Sequence, residues 1–150
     1  MEPHYYQVKI QWKEGRLGVL SSAEINLEKN ILEDGISVAT PPPFAGGMPQ
    51  VFSPEHLYTA AVASCLMTTF LAIAENSKIN FISFDCEAKG KLEQVEGKFL
   101  MTEVILNPVV QIEDEALLDK TKRILDKAEK ACLISNSINS TITFNPIVKV

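Results

Sequence analysis

Two cysteines carry the chemistry available to this sequence. Cys65 lies in an uncharged apolar run that begins after Glu55-His56 and continues Leu57-Tyr58-Thr59-Ala60-Ala61-Val62-Ala63-Ser64-Cys65-Leu66. Cys132 lies far downstream, in Lys130-Ala131-Cys132-Leu133-Ile134-Ser135-Asn136. A lone buried cysteine is usually inert packing. Two cysteines in separate helices, with an arginine and a glutamate elsewhere in the chain, are instead the components of a thiol peroxidase. The first must be a thiolate to attack peroxide. The second can resolve the sulfenic acid that peroxide leaves behind.

Cys65 falls about three turns into its helix, too deep for the N-terminal dipole to help. Apolar burial disfavours a charged sulfur, so a cation is required, and arginine suits because it stays charged when desolvated. The chain has two arginines. Arg123 falls on the polar face of a helix, whereas Arg16 sits in a turn between Gly15 and Gly18 and is the better candidate. Glu55 is suited to hold Arg16 through a bidentate pair. It cannot sit beside Cys65 of its own helix, since ten residues at about 1.5 Å each separate them by roughly 15 Å. If both serve one site, either the loop folds back or the glutamate comes from a second subunit, and the second arrangement is favoured. Whether Cys132 bridges Cys65 depends on a Cα separation that sequence leaves open. Cys86 alternates with Phe84 and Ala88 and reads as packing.

The elements that must position these residues follow from the pattern. The chain has 150 residues, 46% hydrophobic and 22% charged, which predicts one folded domain spanning 1–150 with a real core. The net charge of −5 argues against a nucleic-acid partner. Cys65, Cys86 and Cys132 form no CxxC pair, and His4 and His56 complete no zinc spacing. No Gly-x-Ser-x-Gly elbow supports a hydrolase. The amino terminus lacks a basic region followed by an apolar run, which predicts a cytoplasmic protein. The 18 uncharged residues from Leu57 to Ala74 are rich in Ala, Ser and Thr and lack a basic flank, so they read as a buried helix and not a membrane span.

Strands are expected at Tyr5–Trp12, Leu17–Ser21, Ala23–Leu27 and Ile36–Ala39, the last after an Asp34-Gly35 turn. Thr40–Phe52 holds four prolines and two glycines and reads as a loop. Its Phe44, Met48, Val51 and Phe52 must cover a sheet or line a site. Ser53 as N-cap, Pro54 at N1 and Glu55 in the first turn start a helix that runs to about Ala74 or Glu75. Strands follow at Ile79–Lys91 and Phe99–Ile112, joined at Gln94–Gly97, with a bulge or edge position expected at Asn107-Pro108. Glu113–Cys132 is an amphipathic helix and Ser140–Val150 a closing strand. Segregated strands and helices predict an α+β fold with largely antiparallel pairing. A central helix apolar on all sides predicts a dimer.

These residues resemble the OsmC/Ohr family of osmotically inducible and organic-hydroperoxide-resistance proteins. Its Gly-Arg-x-Gly turn is similar to Gly15-Arg16-Leu17-Gly18, and its Asn-Pro-Glu-x-Leu helix start to Ser53-Pro54-Glu55-His56-Leu57. The gap from glutamate to reactive cysteine is matched by Glu55 and Cys65. The family's Cys-Pro-x-Ser-Asn motif resembles Cys132-Leu133-Ile134-Ser135-Asn136, without the proline. The resemblance covers nearly the whole chain and implies an intertwined α+β homodimer with two sites at the subunit interface. It implies that Cys65 is the peroxidatic cysteine, Cys132 the resolving one, and Arg16 and Glu55 the activating pair. The implied substrates are organic hydroperoxides, the implied reductant is a dithiol such as a lipoylated protein, and no metal or organic cofactor is expected. Phe44, Met48 and Phe52 are candidates for the organic tail's binding surface. Two other readings use the same residues: a redox sensor without efficient turnover, and a dimeric ligand-binding protein.

Overall fold

A three-stranded antiparallel sheet occupies the first of two units, Met1–Leu57, in the computed structural model, which describes residues 1–25 and 35–150. Its strands are β1 (Lys9–Glu14), β2 (Leu17–Ser21) and β3 (Ile36–Ala39), in that order. The β1–β2 hairpin turns at Gly15, whose φ of +50° suits a residue without a Cβ. The Trp12 indole N–H donates to the Gly15 carbonyl at 3.1 Å and ties the turn down.

The first strand starts at Lys9 and not at Tyr5, because Lys9 pairs with Ser21, the last residue of β2. The strand expected at Ala23–Leu27 is corrected: Ala23–Ile25 form a turn and bend, while Asn26 and Leu27, like Asp34, lie outside the described residues. Ser22 explains the stop. Its hydroxyl donates to Gln7 O at 2.6 Å and accepts from the Glu24 N–H at 3.2 Å, offering the backbone a turn in place of a ladder.

Helix α1 (Pro54–Asn76) begins where the sequence places it. The His56 N–H donates to Ser53 Oγ at 3.4 Å, and the Ser53 N–H donates to His56 Nδ1 at 3.1 Å. This is a reciprocal cap with histidine at N3, where glutamate is usual. The helix ends in a Schellman arrangement. Lys78 takes φ +53°, its N–H donates to Glu75 O at 3.0 Å, and the Ile79 N–H donates to Ala74 O at 2.9 Å.

The second unit, Tyr58–Val150, holds β4 (Ser83–Val95), β5 (Lys98–Gln111), α2 (Leu118–Ala131), β6 (Thr141–Phe144) and β7 (Ile147–Lys149). β4 and β5 form a long antiparallel hairpin whose turn, Glu96-Gly97, has positive φ at both residues, as a tight hairpin demands. Two expectations are corrected here. The closing segment is two strands, and both pair with β5 in parallel, so this sheet is mixed. Pro108 marks neither an edge nor a bulge: β5 is central, and the ladder irregularity lies at Lys91/Leu92. Pro108 is tolerated because β6 pairs with Glu103–Leu106 and β7 with Val109–Gln111, leaving the gap between them opposite Asn107-Pro108. The Asn145 N–H donates to Leu106 O at 2.9 Å in that gap.

One core serves this unit. Val62, Leu66, Phe70 and Ala74 of α1 recur every fourth residue and pack with Val104, Leu106 and Val110 of β5 and Ile124, Leu125 and Ala128 of α2. Gly90 lets β4 approach α1: a Cβ there would fall 2.2 Å from Thr59 Oγ1 and 2.5 Å from Met101 Cε. By length and composition α1 is apolar enough to cross a membrane, and its exposed side still carries Met67 and Leu71.

Candidate active site

Cys65 and Cys132 are brought together. Cys65 takes its place in the buried face of α1 beside Leu66, and Cys132 caps the C-terminus of α2 in an extended conformation, with no exposed surface. The Cys65 thiol is near enough to the Cys132 thiol to act on its titration. Neither is in a disulfide. Burial, and then the contact with Cys65, push the Cys132 thiol up from its ordinary value, while the side chain and N–H of Ser135 pull the other way. The Ser135 N–H donates to Cys132 Sγ at 3.5 Å. Cys86, half-buried on β4, also has a raised thiol, first from burial, with a backbone hydrogen bond involving Asn107 opposing it.

Arg16 and Glu55 line one cleft of the first unit. Its volume is about 640 Å³, and its walls include Trp12, Val38, Pro41 and Phe44. A guanidinium and a carboxylate thus share an otherwise largely apolar recess. The Arg16 side chain lies across Gly46: a Cβ on Gly46 would meet Arg16 Nε at 3.2 Å and Cγ at 3.4 Å. Gly46 has φ +75°, and its loop is closed by Gly47 N–H to Phe44 O at 2.9 Å and Met48 N–H to Thr40 O at 2.9 Å.

The loop's apolar residues do not share one recess. Phe44 lines the Arg16 cleft, while Phe52 lines a second recess of about 490 Å³ with Pro42, Pro49, Val51 and His56. The Phe52 ring meets His56 edge-on, with centroids 6.0 Å apart. Met48 is half-buried in the loop and lines neither. Arg123 is exposed on α2. No group of three metal-ligating side chains is found among the described residues.

Sequence reasoning missed Gly46, Ser135 and the pairing of His56 with Ser53. The tandem Gly46-Gly47 was the available signal for the first. For the second, a serine three residues beyond a cysteine has the spacing of a helix cap, with sulfur in the capping position.

A family model described as OsmC-like protein matches residues 47–146. An uncharacterised protein of Methanocaldococcus jannaschii is 29% identical over 104 residues, which are 69% of this chain and 53% of that protein. The chain thus spans about half the length of that relative. Among solved structures, an OsmC-like protein of unknown function from Vibrio cholerae matches with a TM-score of 0.80 at 22% identity, over 97% of this chain and 100% of that one. An organic hydroperoxide resistance protein from Elizabethkingia anophelis, crystallised with thiocyanate, matches with a TM-score of 0.71 at 22% identity, over 99% of each chain. At these identities the likeness to the solved structures is one of fold.

Proposed function

Because the chain belongs to the OsmC-like protein family, we propose that it is a thiol-dependent peroxidase that reduces organic hydroperoxides to alcohols. The observation that carries this reading is that two free, buried thiols, Cys65 and Cys132, are near enough for one to act on the other. Two free thiols that neighbour one another need little movement to form a bond. The fold shared with an organic hydroperoxide resistance protein supports the substrate class.

The cycle begins with attack of the Cys65 thiolate on one peroxide oxygen. The O–O bond breaks, the alcohol leaves, and Cys65 becomes a sulfenic acid. Cys132 then displaces the sulfenic oxygen, forming the Cys65–Cys132 disulfide and water. A dithiol reductant, of the kind carried by a lipoylated protein, restores both thiols by exchange. Arg16 supplies the positive charge that favours the Cys65 thiolate and orients the peroxide, and Glu55 holds Arg16. Phe44 of the Arg16 cleft, with Met48 and Phe52 of the same loop, receives the organic tail. No metal or organic cofactor takes part in this scheme.

The working form is a cytoplasmic homodimer of single-domain chains, without a nucleic-acid or membrane partner. The exposed apolar residues Met67 and Leu71 of α1 and Ile10 and Trp12 of β1 support a second copy as their cover.

The test is stoichiometric cumene hydroperoxide added to the reduced protein, followed by intact mass and peptide mapping. The expected result is loss of two hydrogens with a Cys65–Cys132 bridge, and steady turnover once a dithiol is supplied. Unchanged thiols in folded protein would sink the peroxidase and favour a ligand-binding dimer. A bridge that forms without turnover would favour a redox sensor.

A further inference from the structure

Resolution asks the most of Cys132. Its sulfur is buried, and burial together with the neighbouring Cys65 thiol keeps its proton on. Yet it must act as a nucleophile toward the oxidised Cys65. Two features of the next turn address that demand. The Ser135 N–H already donates to Cys132 Sγ at 3.5 Å. The Ser135 hydroxyl is buried and has no hydrogen-bond partner among the described residues. It belongs to the residue whose N–H meets the Cys132 sulfur, and the Ser135 side chain opposes the rise that burial gives that thiol. A buried hydroxyl left without a partner is rare in native proteins and needs a reason.

The turn is built to keep Ser135 there. The Asn136 N–H donates to Cys132 O at 3.1 Å, Asn136 Nδ2 donates to Lys130 O at 3.0 Å, and the Ser137 hydroxyl donates to Leu133 O at 2.7 Å. These bonds close the chain around Cys132 on both sides of Ser135. A thiol sulfur is a weak acceptor and a thiolate a strong one. A fixed donor that gains its partner only when the sulfur turns anionic stabilises the reacting state more than the resting state.

From this geometry we propose that Ser135 is a catalytic residue of the resolving step, its N–H and hydroxyl both stabilising the Cys132 thiolate as it attacks the Cys65 sulfenic acid. The assignment rests on the peroxidase reading above. In that step the Cys132 sulfur supplies the electron pair of the new S–S bond and the Cys65 S–O bond breaks. The departing hydroxide takes up the proton released by Cys132 and leaves as water. Ser135 is unchanged, and the oxidant is the organic hydroperoxide consumed in the first step.

The experiment compares reduced wild-type protein with Ser135→Ala and Ser135→Thr in single turnovers with stoichiometric cumene hydroperoxide. Samples are quenched with dimedone, which captures sulfenic acid, and read by intact mass. In Ser135→Ala the Cys65 sulfenic acid should form at the wild-type rate. The disulfide should form about tenfold more slowly, the scale of one hydrogen bond to a charged group. The dimedone adduct should therefore accumulate, and excess peroxide should drive more Cys65 to sulfinic acid. Ser135→Thr keeps the hydroxyl and should resolve near the wild-type rate. Disulfide formation at the wild-type rate in Ser135→Ala would overturn the assignment, as would equal slowing of both steps or failure of the threonine to rescue. If wild-type protein never forms a Cys65 sulfenic acid, the peroxidase reading itself fails and takes the assignment with it.

Discussion

Three thiols of one chain sit in three settings. Cys65 acts on the titration of Cys132, while Cys86 lies on a strand that pairs it with Pro108. For both Cys86 and Cys132, burial is the first cause of a raised thiol pKa. The stability consequence has a definite sign. A folded-state value above the unfolded one means that the native protein holds its proton longer. The stabilisation is complete below the unfolded value and is lost as pH rises through the folded one. With an ordinary thiol near pH 8.5, the loss begins there and continues upward. Thermal unfolding under reducing conditions at pH 7, 8.5 and 10 should show Tm falling across the alkaline steps. The fall should be shallower in a Cys86→Ala, Cys132→Ala double variant. An identical alkaline fall in the variant would remove burial of these thiols as its cause.

Among the elements, α1 comes close to β4 at a residue of β4 that has no side chain. Gly90 is the only residue type that leaves room for Thr59 and Met101, because a Cβ would sit 2.2 Å from the threonine hydroxyl oxygen. Gly90→Ala should cost about 1–3 kcal/mol, the usual range for overpacking. Urea unfolding would read this as a lower midpoint at unchanged slope. A midpoint equal to wild type would mean that the hairpin moves away from α1 at no cost. The same strand pair shows how an element absorbs a misplaced residue. Pro108 stands in a central strand because its neighbour is broken into β6 and β7, a compensation invisible in the residues around Pro108 itself.

For the whole molecule the open question is what covers its apolar surface. Trp12 is 73% exposed and Leu71 40% in the single chain, on elements whose other residues are ordered by pairing or packing. Large apolar side chains left in water on two elements fit an obligate homodimer. Sedimentation equilibrium should give twice the 16.6 kDa chain mass for the wild type. Leu71→Asp should lower it toward that of one chain, since an uncompensated charge in an apolar interface is costly. A wild-type mass equal to one chain would rule the dimer out.

The sequence by itself determined the start of α1 and the buried face of α2, and it offered the residue types for the proposed reaction. Ser53-Pro54-Glu55 announced α1 within a residue, because capping and fixed proline φ act locally. The fourfold spacing in α2 named its buried face, from Thr121 to Ala128. Cys65, Cys132, Arg16 and Glu55 were legible as residue types in a familiar order, although that order says nothing of how near they lie. Only the tertiary structure decided what depends on distant partners. It set the parallel direction of β6 and β7, the tolerance of Pro108 and the nearness of the two thiols. It also set Gly46 beneath Arg16 and aimed the Ser135 N–H at Cys132 Sγ. The physical reason is range: caps, turns and helical periodicity are fixed within a few residues, whereas strand direction and the nearness of two thiols depend on which remote segments the core brings together.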